Sequence, residues 1–407
     1  MPGALSHIRV LDLSRVLAGP WAAQNLADLG AEVIKVERPG SGDDTRGWGP
    51  PWLKDGAGRD SAESAYFLSV NRNKKSVTID IGKPEGRALA RELAQKSDVL
   101  IENYKVGTLK KHGLDYASLK KLNPSLIYCS VTGFGQDGPY APRPGYDFIF
   151  QGMGGLMSIT GERDGQPGAG PQKVGIAITD VLTGMYASLS ILAAITHRER
   201  TGQGQYIDAA LLDTIVAFNA NQIVSYFCSG KIPVRYGNAH AQVVPYEAFP
   251  TADGHIILAV GNDGQFQRFC EVAGCPELAE EARFKTNSAR IVHRGELIPL
   301  IAEIMRTRTK REWIEALEAA TVPCGPINNM KEVFEDAQVL HRRLRVDLPH
   351  PLGGTAPGVA SPMRLSETPV EYRLAPPLLG QHNQEVFKGL LGKSDAELQA
   401  LKAAGVI

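Results

Sequence analysis

The sequence of 407 residues has few cysteines, no excess of charge of either sign and no long uninterrupted apolar run. Its five cysteines are odd in number and never spaced as Cys-x-x-Cys, which argues against a disulfide framework or a metal site and for reduced thiols. Lys plus Arg and Asp plus Glu both number 44, so charge gives no reason to expect nucleic acid or an acidic membrane surface as a partner. No apolar run approaches the ~20 residues of a membrane helix. Because no signal or transit peptide precedes the apolar segment at Ile8, we expect a cytosolic protein.

Alternating strand and helix patterns fill the first half of the chain. Ile8–Leu13 and Glu32–Glu37 are predicted strands, and between them a predicted helix begins at Pro20 and ends at Gly30. Similar pairs continue to about residue 210, which predicts an α/β fold with a doubly wound parallel sheet that binds ligands at the carboxyl ends of its strands. The first turn, Ser14–Pro20, lacks the G-x-G-x-x-G fingerprint, so we do not expect NAD or FAD.

The pattern changes to that of a smaller α+β domain after about residue 225. Tyr246–Val260 predicts a β-hairpin with an Asp-Gly turn, and three helical patterns follow it. Ser394 and Glu397 predict a capping box at the start of the last helix. The predicted organisation is a large Rossmann-like domain at 1–205, a linker and small domain at 206–330, and a C-terminal segment at 331–407.

Asp180 lies where an apolar segment meets a long helical pattern. The residues 174–178 read as extended, and from Leu182 to Ile195 apolar residues recur at helical spacing. Asp180 is therefore expected at or beside a helix N-terminus, where a negative charge is favoured. Its structural role would be that of an N-cap. Its functional role would be that of a carboxylate nucleophile beside N–H groups that stabilise an oxyanion, and the local pattern leaves both interpretations open.

A cluster of three cations, Arg72, Lys74 and Lys75, stands just before a predicted strand at Ser76–Ile81. A solvated surface cluster is one interpretation, and a phosphate-binding patch is the other. Residues 38–75, which include this cluster, read as a loop-rich segment. Ordered loops of this length in a compact domain are often functional.

A set of short motifs, in order and over essentially the whole length, resembles one enzyme family, the class III coenzyme A transferases that include formyl-CoA transferase. Each motif is weak alone, and their order and spacing make the resemblance specific. The motifs are Leu11–Leu13, Ala18–Pro20, Gly30–Pro39, Asn71–Ser76, Glu102–Tyr104, Gly133–Pro139, Gly145–Asp147, Thr201–Gly204 and Pro376–His382.

The resemblance implies a fold, an oligomer and a nucleophile. The family fold is a doubly wound domain with a smaller domain, and two subunits form an interlocked-ring homodimer in which C-terminal residues return to the first domain. The family's nucleophilic aspartate falls on Asp180. No cofactor is implied, because coenzyme A is a substrate, and the implied partners are acyl-CoA and carboxylic acid substrates rather than nucleic acid or membrane.

The family's coenzyme A contacts carry over unevenly. Leu17 stands where formyl-CoA transferase has Gln, and the loop 237–242, with His240, replaces its run of glycines. Both changes would lie at the acyl group, which makes a formyl and oxalate substrate pair doubtful. The matched coenzyme A positions are Val16, Ala18, Arg38, Asn103, Tyr104, Lys111 and Tyr146.

Further motifs look like the succinyl-CoA:glutarate sub-family, among them Gly42–Arg46, Trp48–Pro51 and Gly325–Lys331. A dicarboxylate acceptor needs a second contact, for which we expect Arg46 as a bidentate clamp. The alternatives are an α-methylacyl-CoA racemase and a non-catalytic CoA-binding protein. The racemases have a histidine base where this chain has Tyr146, a poor base at neutral pH. Retention of Asp180 argues against a chain that has lost catalysis.

Overall fold

The computed structural model describes residues 2–407, and its elements follow the alternation seen in the sequence. The strands are β1 Arg9–Asp12, β2 Glu32–Glu37, β3 Trp52–Lys54, β4 Asp60–Ser64, β5 Lys74–Thr78, β6 Val99–Glu102, β7 Ile127–Thr132, β8 Tyr206–Ala210, β9 Tyr246–Thr251, β10 Gly254–Ala259, β11 Cys324–Pro326, β12 Arg345–Pro349 and β13 Thr355–Val359. The helices are α1 Ala18–Asp28, α2 Ala65–Ser69, α3 Pro84–Gln95, α4 Thr108–Lys111, α5 Tyr116–Leu119, α6 Asp147–Met153, α7 Leu156–Ile159, α8 Ile178–Thr201, α9 Leu211–Phe218, α10 Ala220–Ser229, α11 Asp263–Ala273, α12 Glu277–Glu280, α13 Asn287–Val292, α14 Arg294–Met305, α15 Lys310–Ala319, α16 Met330–Glu335, α17 Ala337–His341, α18 Asn383–Gly389 and α19 Asp395–Ala403.

Six strands form the large sheet, and all neighbouring pairs are parallel. The order is β5-β2-β1-β6-β7-β8, so the direction of winding reverses between β1 and β6. In an open α/β sheet, ligands bind beside such a reversal, at the carboxyl ends of the strands. The predicted α/β fold with a large parallel sheet is confirmed, and the interlocked dimer stays a prediction.

The chain divides into two compact units. The first comprises residues 1–156, 174–223 and 338–407 and contains the large sheet. The second comprises residues 157–173 and 224–337 and contains the antiparallel sheet β11-β10-β9. The sequence placed the boundaries at 205 and 330, whereas residues 206–223 group with the first unit and 157–173 with the second.

Apolar strands and helix faces build the core of the first unit. Leu11, Ile34 and Leu100 on the central strands are fully buried, as parallel strands covered on both faces require. The amphipathic helix α3 contributes Leu89 and Leu93 to the same cluster. The C-terminal helices α18 and α19 pack against it as well, so the end of the chain belongs to the sheet domain.

Several local predictions are confirmed. The hairpin β9–β10 forms as predicted, but its two turn residues are Ala252 and Asp253, because Thr251 pairs with Gly254, the first residue of β10. The predicted Asp-Gly turn is therefore wrong by one residue. Ser394 and Glu397 form the predicted capping box of α19. The first helix begins two residues earlier than predicted, at Ala18 rather than Pro20.

The three cations at the start of β5 all have carboxylate partners: Arg72 and Lys74 are buried, and Lys75 is half-buried between Glu32 and Glu385. The cluster is therefore neither fully solvated nor free to bind phosphate. The Arg72 guanidinium donates to Asp28, and both side chains are buried. The Lys74 Nζ lies 3.0 Å from an Asp12 carboxylate oxygen in a fully buried pair. The partners of Arg72 and Lys74 come from β1 and α1, which the sheet brings beside β5. Buried charges require such partners, so this motif is structural.

The helix α8 is long and apolar enough, by length and composition, to cross a membrane, which corrects the expectation that the chain has no such segment. A core helix of a soluble protein passes the same test. In this fold α8 packs against α1, α6, α9, β7 and β8. The helix α8 is therefore part of the packing of the first unit, and the cytosolic location stays a prediction.

Candidate active site

Two loops meet at the reversal of the sheet, one after β1 and one after β6. The Asn103 side chain joins them, because its Oδ1 accepts from the Arg15 backbone N–H at 2.9 Å and its Nδ2 donates to the Arg15 carbonyl at 2.7 Å. The Arg15 guanidinium lies 5.4 Å from the centre of the Tyr104 ring. The structure thereby brings the predicted coenzyme A residues Val16, Asn103 and Tyr104 to one edge.

The turn after β1 holds a strained residue. Val16 has a φ of 71°, in the left-handed region that a β-branched side chain rarely adopts. Its N–H donates to the Asp43 carboxylate, which is itself buried against the Lys35 ammonium at 2.8 Å. Lys35 also donates to the Ser14 carbonyl at 2.9 Å. This buried network fixes the turn in its strained form, a pattern that is frequent at functional sites.

The remaining predicted coenzyme A positions vary in exposure. Ala18 is buried as the first residue of α1. Arg38 is exposed directly after β2, and Lys111 is exposed as the last residue of α4. Tyr146 is 68% exposed and is the N-cap residue of α6. Arg38 follows a strand that neighbours β1, so it shares the carboxyl edge with the 14–17 turn.

Asp180 is the third residue of α8, and the N-cap is Ala177, so the N-cap interpretation of Asp180 was wrong. The segment before it, Val174–Ala177, forms no strand, contrary to the extended segment that we predicted. The cap comes instead from α6, because the Asp147 Oδ1 accepts from the Thr179 N–H at 2.7 Å. The Asp180 side chain is thereby left free for another role.

The helices α1 and α8 run side by side in the same direction. A Cβ atom added at Gly184 would lie 2.6 Å from the Ala18 carbonyl oxygen, and further along the pair the Asn25 Nδ2 donates to Ser188 Oγ at 3.3 Å. Asp180 lies one turn before Gly184, on the same face of α8. Asp180 is therefore located beside the 14–17 turn that precedes α1.

The Asp180 carboxylate is half-buried and, within residues 2–407, has neither a hydrogen bond nor an ion pair. Burial, and then the negative charge of Asp147, raises its pKa to about 7. Burial and the charges of Asp180, Asp147 and Asp43 raise the pKa of the Tyr66 hydroxyl to about 12. Tyr66 thus faces the same site, and its ring contacts Trp48 edge-on at 5.0 Å between centroids. An unpaired carboxylate with a perturbed pKa is typical of a reactive group.

Arg46 does not have the free guanidinium that a substrate clamp requires. Its Nε and one Nη donate to the two carboxylate oxygens of Glu37 at 2.7 and 2.8 Å, and the other Nη donates to Glu63 at 2.8 Å. The Pro377 carbonyl accepts a further bond at 3.0 Å, and the guanidinium lies 3.7 Å from the centre of the Phe67 ring. Arg46 is 8% exposed. These contacts argue against the predicted clamp and make Arg46 a structural residue.

The two residues predicted at the acyl group lie in different units. Leu17 is the N-cap residue of α1 in the first unit, and its side chain is buried. His240 is half-buried in the second unit, where its Nδ1 accepts from the Gln242 N–H at 3.0 Å and Arg294 donates to its carbonyl at 2.7 Å. The imidazole Nε2 has no hydrogen bond within residues 2–407. A role for His240 in acyl binding stays a prediction.

Sequence reasoning missed Asp147, Gln151 and Tyr66 as parts of the site. It also missed a cleft of about 450 Å³ beside the Tyr104 loop, with the buried Glu102 carboxylate and the Tyr206 ring in its wall. Burial raises the pKa of Glu102 to about 7. Asp147 stands in the Gly145–Asp147 motif, which was the one available signal.

No group of three or more His, Cys, Asp or Glu residues that could hold a metal ion occurs in the part of the chain that the structure describes.

Comparison with known proteins identifies the family. The sequence profile of CoA-transferase family III matches residues 5–383. A succinate–glutarate CoA-transferase of Agrobacterium fabrum is 52% identical over 386 residues, which are 95% of each chain. The human succinyl-CoA:glutarate CoA-transferase is 44% identical over 99% of this chain and 90% of its own length. A crystal structure of a CaiB/BaiF family protein from Brucella suis matches 96% of this chain and 100% of that one with a TM-score of 0.84 and 46% identity. The chain belongs to CoA-transferase family III and is a class III CoA-transferase.

Proposed function

We propose that this chain transfers coenzyme A from succinyl-CoA to glutarate or a similar dicarboxylate, with Asp180 as the nucleophile. The observation that carries the proposal is the unpaired Asp180 carboxylate beside the strained 14–17 turn. The relatives named for succinyl-CoA and glutarate support the substrate pair.

The chemistry needs one carboxylate and no cofactor. Asp180 attacks the thioester carbonyl, the C–S bond breaks, and an acyl-aspartyl anhydride and the coenzyme A thiolate result. The thiolate attacks the aspartyl carbonyl, which releases the donor acid and leaves an aspartyl-CoA thioester. The acceptor carboxylate attacks this thioester to give a new anhydride and thiolate, and the thiolate attacks its acyl carbon to regenerate Asp180. Division of one difficult transfer into such steps is covalent catalysis.

The proposal gives four of the predicted coenzyme A residues a role in these steps. The strained turn at Val16 and the Asn103-linked loop would hold the pantetheine chain next to Asp180. Arg38 and Lys111 would neutralise phosphate charge at the exposed edge. The raised pKa of Asp180 implies that the active ionised form increases as the pH rises through about 7.

We also propose a homodimer, which the family resemblance implies as interlocked rings. Apolar side chains of two helices that pack together in the first unit support it. Phe148 and Ile149 on α6 are 56% and 45% exposed, and Leu189 on α8 is 60% exposed. Exposed apolar surface of this kind marks an interface. Light scattering should give twice the mass of 43.9 kDa, and Leu189→Asp should reduce it.

The test is an assay of the wild-type and Asp180→Asn proteins with succinyl-CoA and a panel of free acids, with mass spectrometry of the acyl-CoA products. We expect glutaryl-CoA as the main wild-type product and a loss of at least about 10⁴-fold in the variant. Binding of coenzyme A by calorimetry should change less than about three-fold, which separates a lost nucleophile from a lost fold.

Each other outcome has its own meaning. Activity of Asp180→Asn within ten-fold of wild type would contradict the nucleophile. Transfer to acids other than glutarate would contradict only the acceptor. No transfer, together with exchange of an α-proton in a branched acyl-CoA, would replace the proposal with a racemase.

A further inference from the structure

We propose that Asp147 is a positioning residue for Asp180, and that its carboxylate both fixes the start of α8 and favours acylation of the nucleophile. This inference rests on the proposed function, because it assigns the support of the same nucleophile. The proposed mechanism requires no contact between Asp147 and the reacting atoms. Asp147 therefore acts through Asp180.

Asp147 fixes the entry to α8 by one short bond and is itself held by a second bond within α6. Its Oδ1 accepts from the Thr179 N–H at 2.7 Å, and its Oδ2 accepts from the Gln151 Nε2 at 2.7 Å. Asp147 is 9% exposed, so both bonds are shielded from water. Thr179 directly precedes Asp180, so the cap sets the position of the nucleophile's own backbone.

Gln151 extends this attachment along the segment before the helix. It lies four residues after Asp147 on α6, and its Oε1 accepts from the Val174 N–H at 2.8 Å. Its Nε2 also reaches the Ile176 carbonyl at 3.3 Å. One helix therefore holds residues 174–179 at three points, although the segment forms no strand of its own. A misplacement of about 1 Å in a nucleophile costs about 10²-fold in rate, which makes such attachment valuable.

The charge of Asp147 acts on Asp180 in addition to the hydrogen bonds. The two carboxylates repel one another, which raises the pKa of Asp180 after burial has already raised it. Acylation turns Asp180 into a neutral anhydride or thioester and removes this repulsion. The same charge makes the ionised Asp180 more basic and therefore a stronger nucleophile.

Few other titratable groups face Asp180. Tyr66 on α2 does so, and the pKa of its hydroxyl is raised. The elements packed along α8 carry a small number of acidic and phenolic groups that interact with other partners. These groups are Asp28 on α1, paired with Arg72, Tyr128 on β7 and Tyr206 on β8, whose rings stack, and Asp208 on β8 and Asp213 on α9, which interact with each other.

The experiment is the pH profile of kcat and KM for Asp147→Asn, because asparagine keeps an acceptor for the Thr179 N–H and removes the charge. We expect the acidic limb of kcat to move to lower pH. This move should raise the ratio of kcat at pH 6 to kcat at pH 8, and we expect a rise of about three-fold. At pH 8 we expect kcat about ten-fold below wild type and KM for the acyl-CoA within two-fold.

Two further variants separate charge from attachment. Gln151→Leu keeps the charge and loses the bonds to Asp147 and the Val174 segment, so kcat should fall about ten-fold with the acidic limb unmoved. Ser394→Ala removes the N-cap of α19 and serves as the matched loss of a helix cap, with kcat and limb unchanged. Because Gln151→Leu introduces no new charge, it tests the attachment even if Asp147→Asn fails to fold.

An unmoved acidic limb in Asp147→Asn, or wild-type kcat in Gln151→Leu, would overturn the inference. The proposed function would survive either result provided that Asp180→Asn is inactive. Active Asp180→Asn would instead remove the nucleophile, whatever the profile of the Asp147 variants.

Discussion

Two carboxylates stand beside the same turn, and the protein treats them in opposite ways. Asp43 accepts from the Val16 N–H and pairs with Lys35, whereas Asp180 has no partner within residues 2–407. Burial would raise the pKa of both, but Lys35 and the bonds to Thr45 lower the pKa of Asp43 to about 2. The pKa of Asp180 rises to about 7. A paired buried charge fixes structure, and an unpaired one is available for chemistry.

The same contrast separates the cations. Lys35, Lys74 and Arg46 are buried in ion pairs. Arg38 stands exposed at the carboxyl edge of the sheet, directly after the β2 residue Glu37 that holds Arg46. These three buried cations serve the fold, and Arg38, which is expected to meet phosphate, is at the surface.

Removal of the cation from the buried Lys35–Asp43 pair should have the largest effect on stability. Lys35→Met leaves the buried Asp43 without its cation, and we expect a loss of about 3–5 kcal/mol in the free energy of unfolding. Urea denaturation followed by circular dichroism measures it. Lys54→Met removes a cation from the exposed pair with Asp60 and should change the same quantity by less than about 1 kcal/mol. Equal losses in the two variants would contradict the assignment.

Substitution of the unpaired Asp180 should have the opposite effect and increase the free energy of unfolding. A carboxyl whose pKa is raised in the folded state stabilises the fold below its ordinary pKa near 4, and this contribution is lost as the pH rises through about 7. Asp180→Asn avoids the loss. We expect it to match wild type near pH 4 and to exceed it by about 2 kcal/mol at pH 8, a figure reduced for partial exposure.

Thermal unfolding of wild type and Asp180→Asn between pH 4 and pH 8 measures this difference. A constant gap across the range would mean that the gain does not come from ionisation. A variant less stable than wild type at pH 8 would mean that the Asp180 carboxylate has a stabilising partner in solution.

The smallest effect is expected at the exposed cation. Arg38→Ala should raise the KM for acyl-CoA about five-fold, because an exposed charge contributes about 1 kcal/mol to the binding of a phosphate. The melting temperature should stay within about 1 °C of wild type. The KM effect should shrink at high salt, since exposed charges are screened. Arg46→Ala is the matched buried arginine and should instead lower the melting temperature. A large loss of stability in Arg38→Ala would contradict the assignment of Arg38 to binding and of Arg46 to the fold.

Periodicity within the chain predicted much of the fold. The hairpin at 246–260, the first helix, which was expected from Pro20 to Gly30, and the capping box at Ser394 depend on residues a few positions apart, and all three were predicted. The large parallel sheet followed from strand and helix alternation. These features are local, so a single sequence contains the information that determines them.

The site was predictable only in part, because its decisive contacts join distant residues. The resemblance pointed to Asp180, but the cap from Asp147 spans 32 positions between α6 and α8 and has no local signal. Lys74 was misread for the same reason, since Asp12 lies 62 positions away. Arg46 was misread because the sequence does not show that it is buried with Glu37 and Glu63. An exposed cation can bind phosphate, whereas a buried one pairs with a carboxylate of the fold. A cluster of charges in a sequence does not show whether its side chains are exposed.

The contact at Gly184 sets how near Asp180 stands to the 14–17 turn. A methyl group there would come within 2.6 Å of the Ala18 carbonyl and would meet Trp21 as well, so α8 would have to shift away from α1. The backbone of Gly184 is ordinary helix, and its lack of a side chain serves spacing rather than flexibility. The absence of a Cβ atom at position 184 therefore determines the distance between α8 and α1. Any larger residue at this position would widen the gap across which Asp180 must work.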